Sequence, residues 1–200
     1  MRVEIATSKR VIQILALVMT FGQSLGGQSV ANHHQSEQTS FGAEAIPGEV
    51  LVKNPVEVPK TALLVLQGAL SRGALNCVRF EKVRPEEIPS SWFVASEIHL
   101  DGPNEIDLII RPQALPESPS PNRCLFGAHA VPFWILVKAD EGYRLLLKTT
   151  GDALQIMDQR TRGYRDIEVW SLTAATRTAL ILKFDGNRYQ LAERRPAPRK

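Results

Sequence analysis

The second half of the chain alternates short β-prone runs with strong turn signals, and this pattern constrains the fold more than any other feature. Segments such as "WFVASEIHL" and "EIDLIIR" alternate or run apolar, as strands with one or both faces buried do. Turn residues separate the later runs at 140–142, 162–163 and 185–187. The pattern predicts a mainly β fold built from antiparallel meanders, with the last turn formed around Asp185 and Gly186.

Two stretches of this β-rich part resemble each other. "EIDLII" aligns with "YRDIEV", which places Asp107 opposite Asp166, and "WILVKADEGYRLL" aligns with "ALILKFDGNRYQL", which places Lys138 opposite Lys183. We therefore predict two related four-stranded units in one domain, as a sandwich or a partly open barrel, because a propeller needs ~4–8 blades. The alternative is an eight-strand sheet whose hairpins share only generic turn chemistry.

One short amphipathic helix is predicted before the strands, which makes the N-terminal part α+β. In "PKTALLVLQGALSR", Leu63, Leu66 and Leu70 recur at helical spacing, Thr61 can act as the cap, and Gly73 is the expected end. We expect this helix to cover one face or one open edge of the sheet.

Residues 1–31 have the features of a secretory signal peptide. A basic start precedes the apolar run "VIQILALVMTF", and the small residues Ser29 and Ala31 frame a cleavage point. The run is shorter than the ~20 apolar residues that span a bilayer. We therefore predict a periplasmic or secreted protein with no stable membrane span after processing.

The remaining chain divides into three parts. Residues 32–58 are polar and then punctuated by proline, which predicts a flexible leader; 59–194 form a single β-rich domain; and 195–200 form a basic tail. Residues 1–31 hold three of the 24 Lys and Arg and one of the 21 Asp and Glu, so 21 basic residues face 20 acidic ones after processing. This near-neutral balance lacks the basic excess of a nucleic-acid-binding protein.

Export would place the two cysteines, Cys77 and Cys124, in an oxidising compartment. In an oxidising compartment, two cysteines and no others most simply form one disulfide. The alternative is a reactive Cys124 served by His129, although no acid that could orient the imidazole is evident nearby.

The segment "HLDGPNEIDL" carries a family resemblance. Over about ten residues it resembles the acidic loop of the FG-GAP and VCBS-type repeats of secreted and integrin-like proteins. The other strand segments are similar to secreted bacterial proteins that have no assigned activity. The resemblance implies a β-repeat fold and directs attention to calcium in this loop.

On this loop, the resemblance implies that Asp101 and Asp107 hold the third and ninth ligand positions. His99 and Pro103 fall where oxygen ligands are expected, and calcium requires ~6–8 oxygens, so the loop supports at most a weak calcium site. No other cofactor is expected. Gly102 and Asn104 are predicted to keep the turn, Asn104 in the left-handed conformation. Asp166 marks the corresponding turn in the second unit.

No catalytic residue is assigned from the sequence, because it contains neither an H-E-x-x-H segment nor a Walker loop, and the single G-x-S-x-G match, "GQSLG", lies in the signal peptide. We predict an exported, non-catalytic binding module for a protein or glycan of the cell envelope. The alternatives are a small envelope-directed hydrolase using acids near Asp101 and Asp107, and a protein whose loops dock onto or inhibit another exported protein. Five aromatic residues are candidates for either a binding surface or the core: Trp92, Phe133, Trp134, Tyr164 and Trp170.

Overall fold

The β-prone segments form two antiparallel sheets in the computed structural model of the chain. The structure describes residues 37–42, 52–126, 130–173 and 176–196. The predicted signal peptide at 1–31, His129 and the last four residues of the predicted tail lie outside these ranges. All described residues belong to one compact unit, Ser36–Lys200.

Strands and helices follow one another in a simple order. The strands are β1 (Ser40–Gly42), β2 (Phe93–Ile98), β3 (Asp107–Pro112), β4 (Val131–Ala139), β5 (Gly142–Gly151), β6 (Ala153–Thr161), β7 (Tyr164–Leu172), β8 (Arg177–Phe184) and β9 (Tyr189–Pro196). The helices are α1 (Lys60–Ala69) and α2 (Arg72–Phe80). One sheet has the order β2-β3-β4-β5 and the other β1-β6-β7-β8-β9, which confirms the mainly β, antiparallel prediction.

Each sheet contains one four-stranded meander, β2 to β5 and β6 to β9, and β1 adds a fifth strand to the second sheet. This division agrees with two four-stranded units. The aligned lysines nevertheless occupy different registers, because Lys138 lies opposite Tyr143 whereas Lys183 lies opposite Gln190. Descent of both meanders from one repeated unit stays a prediction.

The chain crosses from one sheet to the other through the single residue Asp152, between β5 and β6. The preceding Gly151 lies so close to β7 that an added Cβ would be 2.5 Å from Cγ1 of Val169 and 2.8 Å from the carbonyl oxygen of Trp170. Only glycine fits this crossing without displacing β7. The amide of Asp152 donates to the same Trp170 carbonyl at 2.8 Å, so the crossing is held tightly.

Two apolar clusters form the core. The first lies between the sheets and includes Phe133, Ile135 and Ile167, all fully buried. The second lies on the opposite face of the four-stranded sheet, where Leu66 of α1 and Trp134 of β4 are among its members. The four-stranded sheet is therefore buried on both faces, which explains why every residue of β3 and the first seven residues of β4 are buried.

Two helices cover this face where the sequence predicted one. Leu70 and Ser71 have extended backbones and end α1, and the Ser71 side chain then caps α2 by accepting a hydrogen bond from the amide of Ala74 at 3.1 Å. Gly73, the expected helix end, lies in the first turn of α2. Thr61 lies within α1, and the cap position belongs to Pro59.

Part of the predicted leader, residues 37–42, contacts the five-stranded sheet. Phe41 of β1 is 1% exposed and pairs with Leu154 of β6. The carboxylate of Glu37 forms a partly buried ion pair with Arg165 at 2.9 Å. Residues 53–55 are exposed, and the flexibility of the leader stays a prediction.

The predicted turn residues have mixed outcomes. Asp185 accepts hydrogen bonds from the amides of Asn187 and Arg188 at 2.8 and 2.9 Å, and Gly186 has φ +111°, which confirms this hairpin turn. Gly102 and Asn104 lie in the bend before β3, but neither is among the described residues with positive φ, so the predicted left-handed Asn104 is wrong.

Asp166 is not a turn residue, because it lies inside β7 and is 2% exposed. The turn before β7 is formed instead by Arg162 and Gly163, both with positive φ, as the two-residue turns of hairpins require. The predicted tail also begins inside a strand, because β9 continues to Pro196.

The sulfurs of Cys77 in α2 and Cys124 form a disulfide with a Cα–Cα distance of 5.5 Å, as predicted. The bridge attaches the second helix to the turn that precedes β4. Within the described part of the chain, neither helix has the length and apolar character needed to cross a membrane.

Candidate functional site

The loop between β2 and β3 holds the acids that the sequence singled out, but it separates them. Asp101 is exposed, whereas Asp107, the first residue of β3, is 1% exposed. Oδ2 of Asp107 accepts from the amide of Leu100 at 3.2 Å, and Oδ1 accepts from the amide of Lys138 at 3.3 Å. The carboxylate thus joins its own loop to the end of β4.

The same loop also connects the two sheets. The carbonyl oxygen of Leu100 accepts a hydrogen bond from the amide of Arg165 in β7 at 2.9 Å and from the guanidinium of Arg160 at 2.7 Å. Asp107 therefore holds in place a loop that forms hydrogen bonds between the two sheets. The contacts of Asp107 are those of a structural residue.

The residues of this loop do not fit a calcium site. Both carboxylate oxygens of Asp107 accept from backbone amides, and Nδ1 of His99 is 2.7 Å from the carbonyl oxygen of Glu105. Pro103 contributes no side-chain oxygen, which leaves Asp101 as an outward-facing carboxylate for a cation that requires ~6–8 oxygens. No group of three or more His, Cys, Asp or Glu side chains in the described residues could hold a metal ion.

Burial changes the acid–base properties around Asp107. Loss of solvation, with a smaller contribution from the charge of Asp101, raises the pKa of Asp107 to about 6. Burial is also the main reason why the pKa values of Tyr143, Tyr164 and Tyr189 are raised, and the charge of Asp107 adds to each. The charge of Asp107 thus affects the pKa of all three tyrosines of the chain.

A second acid, Asp166, is also buried. Oδ2 of Asp166 is 3.8 Å from Nζ of Lys183, and its Oδ1 has no hydrogen-bond partner. The charge of Asp166 also contributes to the raised pKa of Tyr189, whose hydroxyl donates to the carbonyl oxygen of Arg165. Both acids are buried, so neither presents a carboxylate to a substrate in solution.

A cavity that could hold a ligand lies elsewhere, between α2, the disulfide turn and the strands β4 and β5. It is a cavity of about 340 Å³ whose wall is mainly apolar. Pro132 and Trp134 of β4 pair with Thr150 and Lys148 of β5, and these four residues form its floor. Cross-strand pairing therefore assembles one wall on the sheet face that the helices cover.

Four polar side chains border this cavity: Ser71, Trp134, Lys148 and Thr150. Lys148 is exposed, and its Nζ donates to the carbonyl oxygen of Ala69, the last residue of α1, at 2.6 Å. The hydroxyl of Ser71 accepts from the amide of Ala74 and caps α2. Trp134 is 2% exposed, and its indole N–H has no hydrogen-bond partner among the described residues.

A smaller cavity of about 270 Å³ lies beside the sheet crossing, where β1 meets β6 and β7. The guanidinium of Arg177 stacks on the ring of Trp170 at 4.9 Å from its centroid. Asp152 on the same wall accepts from the amide of Leu172 at 2.5 Å. A cation and a carboxylate share this wall, so its charge favours no single class of ligand.

The sequence did not indicate the larger cavity. Trp134 was one of five aromatic candidates, and three of them, Trp92, Phe133 and Trp134, are buried core residues. Lys148 looked like an ordinary polar residue in a strand. The available signal was its position directly after the apolar run "LLL", but the cross-strand register was needed to place Lys148 on the same face as Trp134.

Comparison of the chain with protein-family models, with curated proteins and with solved structures found no match. The resemblance of the "HLDGPNEIDL" loop to FG-GAP and VCBS-type repeats therefore stays a prediction.

Proposed function

We propose that this chain is an exported, non-catalytic binding protein that holds a small apolar ligand in the cavity between α2 and the β4–β5 hairpin. The observation that supports this function is the cavity itself, about 340 Å³ with a mainly apolar wall. Ligand sites in proteins are typically concave, mostly apolar and ~300–1,000 Å³ in volume, with few polar groups. An envelope protein or glycan as a further partner stays a prediction.

The size of the cavity limits the ligand. An engineered apolar cavity of ~150 Å³ binds benzene, so about 340 Å³ accommodates a molecule roughly twice that size. A C8 chain gains ~0.8 kcal/mol for each buried methylene group, and the cost of association offsets most of this gain, so weak binding is expected.

Binding is tested by titrating the purified chain with 1-octanol in a calorimeter. We expect saturable binding that is lost in Ala74→Phe, because Ala74 lines the cavity and a phenyl ring would fill it. Asn76→Phe is the matched control, since Asn76 lies on the same helix, is exposed and does not line the cavity. Absence of binding, or equal binding to both variants, would contradict the proposal.

Export is supported by the features of residues 1–31 and by the disulfide, which persists in oxidising compartments. The full chain, produced in a bacterium, is expected in the periplasm or the medium with residues 1–31 removed. Mass spectrometry of the recovered protein measures the cleavage point. A cytoplasmic protein of full mass would contradict export.

A small hydrolase is the second candidate, and the observation that favours it is the raised pKa of Asp107, about 6, which would suit a general acid. Its burial and its two amide contacts count against this role. Turnover of cell-wall glycans that disappears in both Asp101→Asn and Asp107→Asn, while folding is retained, would favour the hydrolase over the binding protein.

A further inference from the structure

We infer that the cavity selects apolar molecules that carry a single carboxylate, with the ammonium of Lys148 as the group that recognises the anion. This inference rests on the proposed binding function and adds the chemical class of the ligand.

The charge of the cavity wall is the first argument. Lys148 is the one charged side chain among the described residues that line the cavity, and no acid is among them. Lys148 is exposed, so water partly screens its charge and its attraction for an anion is modest. A ligand with one negative charge complements this wall, whereas a cationic ligand would be repelled.

The position of Lys148 is the second argument. Its pairing with Trp134 places it directly across the floor of the cavity, and its bond to the Ala69 carbonyl fixes the ammonium at the end of α1. An ammonium has three N–H donors, and this bond uses one of them. The remaining donors can bind a carboxylate without displacing the helix.

The start of α2 adds to the positive potential near Lys148. Ser71, Gly73 and Ala74 line the cavity at the first turn of α2, a nine-residue helix, and the Lys148 ammonium bonds to Ala69, two residues before Ser71. The N-terminus of a helix carries a partial positive charge and favours anions. The helix terminus therefore adds to the attraction that Lys148 exerts on an anion.

The test compares three C8 probes that differ only in the head group: octanoate, 1-octanol and octylammonium, titrated by calorimetry near neutral pH. We expect octanoate to bind about tenfold more tightly than octanol, as a charge-assisted hydrogen bond allows, and octylammonium to bind more weakly than octanol. Lys148→Met should abolish the preference for octanoate, and Lys148→Arg should retain it. Lys138→Met, which changes an exposed lysine outside the cavity, should leave all three affinities unchanged.

The outcomes separate this inference from the proposed function. Equal binding of octanoate and octanol, or a preference for octanoate that survives Lys148→Met, would overturn the carboxylate assignment and leave the binding function intact. Failure of all three probes to bind would overturn both. Because Lys148 also bonds to α1, the melting temperature of each variant is measured, and Lys148→Arg provides the decisive comparison if Lys148→Met unfolds.

Discussion

Replacing Asp107 by asparagine gives the most direct test of the buried carboxyl group. Asp107 has a pKa of about 6 in the folded protein against an ordinary value of 3.8. Because the folded-state pKa is raised, the native protein takes up a proton as the pH falls through about 6, before the unfolded chain does. Protonation of Asp107 therefore stabilises the fold as the pH falls, and this stabilisation is lost as the pH rises through about 6.

The size of the effect follows from the two pKa values. Between about pH 8 and about pH 5, the native carboxyl group becomes mostly protonated while the unfolded one stays ionised. The free energy of unfolding gains about 1.4 kcal/mol from Asp107 over this interval. For a domain of this size the gain corresponds to a rise of roughly 3–6 °C in melting temperature.

Asp107→Asn should lose this pH-dependent gain. The amide nitrogen of asparagine cannot accept from a backbone N–H, so one of the bonds to Leu100 and Lys138 is lost, at a cost of about 1–3 kcal/mol at any pH. Urea unfolding at several pH values measures both effects on the free energy of unfolding. The lost hydrogen bond lowers it by the same amount at every pH, and the lost protonation makes the difference from wild type change with pH. Asp140→Asn, in the exposed β4–β5 turn, is the control with unchanged pH dependence. Parallel curves for wild type and Asp107→Asn would refute a raised pKa at Asp107.

Two further predictions concern the core and the covalent link. Gly151→Ala should lower the free energy of unfolding by about 1–3 kcal/mol, because the new Cβ would lie 2.5 Å from Val169. Gly68→Ala in α1, where a Cβ would meet no atom within 4 Å, should raise the free energy of unfolding by up to about 1 kcal/mol. Equal melting temperatures for the two variants would contradict the close approach of Gly151 to β7. Reduction of the disulfide between Cys77 and Cys124, which are 47 residues apart, should lower the free energy of unfolding by about 4 kcal/mol. Equal stability in urea with and without reductant would show that the bridge has no structural role.

Local sequence patterns predicted the strands and several turns, because both depend on residues that are close together in the chain. The alternation of β-prone runs and the Asp185–Gly186 turn depend on residues within a few positions of one another. The ion pair between Glu37 and Arg165 joins residues 128 positions apart, and nothing near either residue announces it. For the same reason, a three-residue strand such as β1 is too short to show a period.

Only one of the two helices was predicted, because Gly73 was interpreted as the end of a single helix. Ser71, two residues earlier, is a strong N-cap residue and begins a second helix. The acidic loop was predicted to be at most a weak calcium site, from its spacing and its missing ligands. The contacts of Asp107 with two backbone amides depend on the fold and needed the structure. The cavity depends on cross-strand register and on the packing of α2, which local patterns do not encode.

The last strand has a consequence for the behaviour of the protein at high concentration. β9 forms an edge of the five-stranded sheet, and its residues from Gln190 onward are exposed. An open edge is a template for pairing with another chain, and charged residues and proline discourage this. Glu193, Arg194 and Arg195 precede Pro196 on this edge. These charges and the proline therefore disfavour pairing of this edge with another chain.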